Sequence, residues 1–260
     1  MEARASDIID DRLVRGLHVE AVRHAGLHAE HEPHVVFQTS TLDALFEGGF
    51  DGDLTFAELA QHGDLGLGTL NGLDGEMIAL DGRFYRADVE GGIHEIGGEA
   101  RTPFAVVVFF EPTIDAALGA GPVLEAIEAL RPADTPAFAV RVDGQFELVR
   151  ARSVPRQSPP YRPLSEVAAE QHVFELADVA GTLVGFSFPD FAEGLELTGY
   201  HLHFISEDRT RGGHVLDCQA RGGRLRIDRS SEWELELPPG VELDAGHVDK
   251  EELDRIERDG

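Results

Sequence analysis

Gly199-Tyr200-His201-Leu202-His203-Phe204-Ile205-Ser206, a polar run from Glu207 to Arg211, and then Gly212-Gly213-His214 form the stretch on which the reading of this chain turns. In an extended strand successive side chains point to opposite faces, so His201 and His203 share one face while Leu202 and Phe204 enter the core on the other. The polar run and its Gly-Gly end return the chain antiparallel. His214 then reaches the histidine face from the neighbouring strand, about 5 Å away. Three neutral imidazoles with an open fourth position are the arrangement of catalytic zinc, where water or substrate takes the remaining place. A His-x-His pair alone is a weak signal, and the plain alternative is a set of ordinary strand histidines. The third histidine beyond the turn is what favours a metal.

Outward from that stretch, strands are expected at Gly181–Phe188, His214–Gln219, Arg224–Asp228 and Trp233–Leu237, with a closing helix over Lys250–Arg258. The first half mixes helix and strand. Hydroxyls ahead of Asp43 predict a short capped helix through Phe46, and Thr55 with Glu58 three residues on has the spacing of a capping box. Asn-Gly and Asp-Gly pairs punctuate Leu65 to Tyr85 as hairpins do, Phe104–Phe110 reads as a buried strand, and Val123–Leu130 as a helix. Phe138–Arg150 is expected to be a hairpin turning at Asp143-Gly144. The proline-rich run from Arg152 to Pro163 is the expected subdomain boundary, and Leu164–Phe174 the expected helix after it. Leu80-Asp81-Gly82-Arg83-Phe84 and Val142-Asp143-Gly144-Gln145-Phe146 hint at an internal duplication.

At 260 residues and 42% hydrophobic, the chain can fill a real core, which excludes general disorder. Its 22 basic residues, with Lys250 the single lysine, face 49 acids, for a net charge of −27. Such a surface repels nucleic acid, and no nucleic-acid partner is expected. The scarcity of lysine resembles proteins of extreme halophiles. No apolar run approaches the roughly 20 residues of a membrane helix, and Met1-Glu2-Ala3-Arg4 opens no signal-peptide core, so a soluble cytoplasmic protein is expected. Cys218 reads as an inert strand residue. His18, His24, His28, His31 and His34 are irregularly spaced, and residues 1–33 read as a mobile, solvated helix or frayed extension rather than a metal-binding tail.

From about Val35 onward the chain resembles the alpha-acetolactate decarboxylases. The likeness rests on Phe37-Gln38-Thr39-Ser40-Thr41, Asp51-Gly52-Asp53, Gly63-Asp64-Leu65-Gly66-Leu67-Gly68-Thr69-Leu70-Asn71, Leu73-Asp74-Gly75-Glu76, Asp81-Gly82-Arg83-Phe84-Tyr85-Arg86, Pro160-Tyr161, and above all Gly199 to Ile205 with Gly212-Gly213-His214-Val215. The resemblance implies an α+β fold of two related β-rich subdomains, a mixed sheet plus a barrel-like sheet with short helices. Their expected bounds are 34–152 and 153–260, the latter carrying the metal-binding strands and the terminal helix. It also implies a homodimer, Zn2+ held by His201, His203 and His214, and a site completed by Thr69, Glu76, Arg152 and a C-terminal glutamate, Glu257. The first 33 residues match no part of the family's pattern that the resemblance places, and because the tail is shorter the C-terminal glutamate is Glu257 with Glu251 and Glu252 left open as alternatives.

The implied substrate, 2-acetolactate, carries its carboxylate beta to a ketone, with a hydroxyl on the carbon between. That ketone is the electron sink, and a metal that polarises it makes an organic cofactor unnecessary. Arg152 would hold the carboxylate through a bidentate fork; its plain alternative is a surface ion pair. Glu76 would supply the proton after carbon dioxide leaves, against the alternative of a solvated turn acid. Glu257 would act as a second acid or fix the closed site; otherwise it is the exposed face of a terminal helix. Two other functions compete: a non-catalytic metal-binding β module of a related fold, and a zinc hydrolase using metal-activated water.

Overall fold

The computed structural model describes residues 8–14, 17–23, 27, 31–133 and 136–241. The chain opens with β1 (Ile8–Val14), β2 (Leu17–Arg23) and β3 (Val35–Thr39), then α1 (Leu42–Phe46), β4 (Leu54–Thr55) and α2 (Phe56–Leu59). There follow β5 (Leu65–Thr69), β6 (Glu76–Leu80), β7 (Arg83–Ala87), β8 (Ile93–Glu95), β9 (Arg101–Thr102) and β10 (Ala105–Val108). The rest comprises β11 (Ile114–Leu118), β12 (Gly121–Pro122), α3 (Val123–Ala129), β13 (Ala137–Ser153), α4 (Leu164–Ala168), β14 (His172–Phe188), β15 (Gly199–Ser206), β16 (Gly212–Ser230) and β17 (Glu232–Leu237).

Local rules account for the early elements. Thr41 caps α1 through its side chain, and Thr55 with Glu58 forms the expected capping box on α2. Asp81 and Gly82, both at positive φ, close the β6–β7 hairpin as a primed turn demands.

Two large sheets result, and strand dominates the α+β fold. The first has nine strands in the order β1-β2-β17-β3-β10-β5-β6-β7-β8; β17 runs parallel to β2 and β3, and the sheet is therefore mixed. The second runs β11-β16-β13-β14-β15, with β12 beside β16 and a further pairing of β15 to β16. Both sheets are covered on two faces. Val106 and Val108 of β10 pack in the core shared with Val184 and Phe186 of β14, while Ala105 and Val107 pack with Phe56 and Leu59 of α2. On the second sheet Phe138 and Val140 pack under Val123 and Ile127 of α3. The two sheets thus stack face to face between short helices, which is why the Phe104–Phe110 run is apolar without alternation.

Several expectations are corrected. Residues 8–14 and 17–23 are not a frayed helix: β1 and β2 form an antiparallel pair, and β17 lies alongside β2. Leu17, Val19 and Ala21 are buried while His18 and Glu20 alternate outward, a period of two hidden among the irregular histidines. His24 and His28 lie outside the described residues. Asp143-Gly144 is no turn, since β13 runs unbroken through it. Gly144 sits opposite Gly181 on one side and Gly223 on the other, where a side chain would meet the carbonyl of Gly222 at 2.5 Å. Asp143 accepts from Arg141 and Thr182 at 2.9 Å instead of capping a turn. Because Asp81-Gly82 is a turn and Asp143-Gly144 is mid-strand, the two short matches do not occupy equivalent positions.

The helix begun at Leu164 stops at Ala168, and His172-Val173-Phe174 already belongs to β14. Nor do the sheets divide at residue 152. β11 to β13 belong to the second sheet, β17 returns to the first, and the proline-rich connector links two strands of one sheet. The expected closing helix lies outside the described residues.

Candidate active site

β15 and β16 bring the histidines together by register. His203 pairs directly with His214 across the two strands, and His201 follows two residues away on the same face. The three ring centroids lie 5.1 to 5.3 Å apart, all three residues are buried, and their nitrogen atoms can converge within 4.8 Å. Across β14, His203 faces Val184 and His201 faces Phe186, whose side chains fill the inter-sheet core. The histidine face therefore points between the sheets. Leu202 and Phe204 point the other way, into the core under α3.

Hydrogen bonds fix the ring protons. A carbonyl can only accept, so the 2.8 Å contact of His203 Nδ1 with the Met77 carbonyl places the proton on Nδ1 and leaves Nε2 as the atom that could bind a metal. That Nε2 is buried with no hydrogen-bond partner. Burial first, then the neighbouring His201, holds the His203 imidazole well below its ordinary pKa, in the neutral form. His201 Nδ1 is 3.1 Å from the Glu196 carboxylate, which likewise assigns the Nδ1 proton. Neutral nitrogen donors and an orphaned buried lone pair fit a divalent ion.

The first sheet supplies the acid. Thr69 ends β5 opposite Glu76, which begins β6, and the Thr69 hydroxyl donates to the Gly75 carbonyl at 2.8 Å, tying down the turn that aims Glu76. Glu76 Oε1 accepts from Arg152 Nη1 at 3.0 Å, and Oε2 stands 3.7 Å from His203 Nε2. Arg152 lies on β13 opposite His214 of β16. Both partners of this ion pair are buried, so Arg152 is not the surface arginine of the plain alternative and Glu76 is not a solvated turn acid.

One cavity of about 50 Å³ is lined by Thr69, Glu76, Arg152, His201, His203 and His214. Leu42 and Leu45 of α1, Val154, and Leu164 of α4 give it an apolar wall. Six sequence-predicted residues thus meet at one place; Glu257 lies outside the described residues. Glu196 and the Met77 carbonyl were not singled out from sequence. An acid five residues ahead of a strand histidine has no motif of its own, and a backbone carbonyl leaves no sequence signal. Cys218 is buried and its thiol is pushed up to about 12 by burial and Asp217, in keeping with an inert strand residue.

Fold and site define an enzyme of the α+β class, with a three-histidine cluster, a buried acid and an arginine around one small cavity between two sheets. The family model for alpha-acetolactate decarboxylase matches residues 36–248, and the chain belongs to that family of carboxy-lyases. An alpha-acetolactate decarboxylase of Methylococcus capsulatus is 47% identical over 221 residues, 83% of this chain and 85% of its own length. One from Methanosarcina mazei is 42% identical, covering 86% and 80%. The crystal structure of the Bacillus subtilis alpha-acetolactate decarboxylase superposes with a TM-score of 0.80 at 34% identity, over 86% of this chain and 99% of that one. The match opening at residue 36 agrees with a likeness that starts near Val35. Among the described residues no helix is long and apolar enough to cross a membrane.

Proposed function

We propose that this chain converts 2-acetolactate to acetoin and carbon dioxide with a zinc ion held by His201, His203 and His214. The observation that carries the reading is the meeting of the buried histidine cluster and the Arg152–Glu76 pair on one cavity. Relatives bearing the name alpha-acetolactate decarboxylase support the substrate.

A divalent ion held by His201, His203 and His214 would supply Lewis acidity that makes the substrate ketone a better electron sink. Arg152 presents its guanidinium to the substrate carboxylate, exchanging part of its pairing with Glu76 for a second anion. The bond to the carboxylate breaks with its electron pair moving toward the ketone, and carbon dioxide leaves. Glu76, protonated from solvent once the substrate carboxylate draws Arg152 away from it, then delivers that proton to the carbon that lost carbon dioxide, so one solvent proton is consumed per turnover. Its position beside both Arg152 and His203 supports that role. Thr69 holds the Glu76 turn, and the apolar wall from α1 and α4 excludes water from the carbanion-like centre. A C-terminal glutamate, Glu257 or in its place Glu251 or Glu252, would serve as a second acid or fix the closed site. The same reading makes the protein a cytoplasmic homodimer that needs no organic cofactor.

Purified protein incubated with racemic acetolactate should release acetoin and carbon dioxide, and elemental analysis should find one zinc per chain. Activity should vanish with the metal when His201, His203 and His214 are replaced together by alanine. Ester hydrolysis without acetoin would favour a zinc hydrolase; metal binding without either activity would favour a non-catalytic module.

A further inference from the structure

The loop between β14 and β15 carries a buried carboxylate that the proposed reaction does not use. Glu196 is 1% exposed. Its Oε1 accepts from the Leu197 backbone N–H at 3.0 Å and from His201 Nδ1 at 3.1 Å, while its Oε2 is buried with no hydrogen-bond partner. The loop is pinned from outside: the Leu42 N–H and the Gln38 side-chain amide donate to the Leu195 carbonyl at 3.0 and 2.7 Å, and the Asp43 N–H donates to the Gly194 carbonyl at 2.9 Å. The Glu196 N–H donates to the Ala192 carbonyl at 2.9 Å, so the backbone leading into the carboxylate is held at Gly194, Leu195 and Glu196 in turn.

Two physical points give this arrangement a purpose. An ionised carboxylate out of water is costly unless it is paired or fully hydrogen-bonded, and Glu196 keeps one oxygen unsatisfied. A positive charge just beyond the imidazole it contacts would offset that cost. A metal-ligating histidine also needs its far ring nitrogen held by an acceptor, which fixes the tautomer and raises the basicity of the ligating nitrogen. His203 obtains this from the Met77 carbonyl, a neutral group. His201 obtains it from an acid.

We propose that Glu196 is a positioning residue of the metal centre: it holds His201 with the proton on Nδ1, so that Nε2 faces the cluster, and contributes negative charge that strengthens metal binding. This rests on the reading of His201, His203 and His214 as metal ligands. Glu196 touches neither substrate nor metal and acts only through His201.

The test measures Zn2+ affinity of metal-stripped full-length protein by competition with a chromophoric chelator, for the wild type, E196A and E196Q. Imidazole ¹⁵N shifts report the His201 tautomer, and melting of the metal-free proteins controls for folding. E196A should bind Zn2+ about 10- to 100-fold more weakly and lose the fixed Nδ1–H signature. E196Q keeps an acceptor oxygen but no charge, so it should keep the tautomer and still lose affinity by a smaller factor. A merely structural role would lower the melting midpoint and leave affinity and tautomer in the folded fraction unchanged. Wild-type affinity, within twofold, in both variants would overturn the proposal while the metal centre stands. If E196A does not fold, unchanged affinity in E196Q alone overturns it. A wild-type protein that binds no Zn2+ would overturn the metal reading, and this inference with it.

Discussion

Arg152 Nη1 lies 3.0 Å from Glu76 Oε1, and this buried contact ties the second sheet to the first at the floor of the cavity. Breaking a buried pair by removing one partner leaves an uncompensated charge and costs roughly 3–5 kcal/mol, so truncation would confuse stability with chemistry. Charge-conserving and shape-conserving changes are therefore the informative ones.

Arg152→Lys keeps the positive charge opposite Glu76 but loses the planar fork that can grip two anions at once. The fold and the metal should be retained, because the histidines do not depend on guanidinium geometry. Turnover should fall about 10²-fold, the loss typical of a misplaced reacting group. Steady-state kinetics beside metal analysis check this; wild-type turnover would put Arg152 outside the reaction.

Glu76→Gln preserves the shape and can still accept from Arg152 while removing the transferable proton. Loss of one acid–base group costs about 10² to 10⁴ in rate. Zinc content should not change. If Glu76→Gln instead loses zinc, the acid is a structural partner of His203; if Glu257→Gln is the more damaging change, the proton donor lies in the tail.

Glu234 on β17 pairs alongside Glu20 of β2, and burial, helped by Glu20, Glu232 and Glu32, pushes its carboxyl up to about 7. Between its ordinary value of 4.5 and about 7 the folded chain holds a proton that the unfolded chain releases, so stability from this group falls as pH rises through that window. At about 1.4 kcal/mol per pH unit the full shift corresponds to at most about 3.5 kcal/mol, and to less because the side chain is partly exposed to solvent. Glu234→Gln should be nearly neutral at pH 4.5 and stabilising at pH 8, measured as the difference between denaturant midpoints of variant and wild type.

How much of this was legible in sequence depends on how local the signal is. The β15–β16 pairing followed from period-two alternation and the polar run that turns the chain at residues 207–210, although Gly212 and Gly213 lie in β16 opposite Ile205 and Phe204 and not in the turn, and the capped starts of α1 and α2 followed from side chains that meet their own backbone. The failures share a cause, since Asp-Gly is a turn only when nothing packs on either side. Gly144 is flanked by Gly181 and Gly223, glycines far away in the chain, and those close approaches decide its conformation. β17 returning to hold β2 is likewise a pairing across more than 200 residues, which no window along the sequence reports. Glu76 and Arg152 look like ordinary surface charges until two sheets close over them. Only family resemblance drew them out.

Gly144→Val tests the mid-strand placement. The new side chain would meet the Gly222 carbonyl, which is sheet backbone and cannot swing aside. Overpacking of this kind costs roughly 1–3 kcal/mol. A turn position would tolerate or reject valine through φ instead, so the discriminating partner is Gly144→Asn, which suits a turn and should be destabilising here as well. Thermal melts of both variants suffice.

The response to salt follows from 49 acids facing 22 basic residues with a single lysine. Pairs such as Arg83–Glu95, Arg162–Glu170 and Arg224–Asp115 are exposed to solvent, where ion pairs add little to stability, so screening them loses little. Repulsion among the excess carboxylates outweighs those attractions, and it acts over the Debye length, about 10 Å at 0.1 M and about 3 Å at 1 M. Molar salt should therefore remove more repulsion than attraction and stabilise the fold. Metal coordination by His201, His203 and His214 would act at short range, where screening is ineffective, so activity should follow the folded population. In thermal melts at rising potassium chloride the midpoint should climb well past 1 M, with activity tracking it. A midpoint that is flat or falls between 0.1 M and 2 M would refute adaptation to concentrated salt and leave the decarboxylase reading untouched.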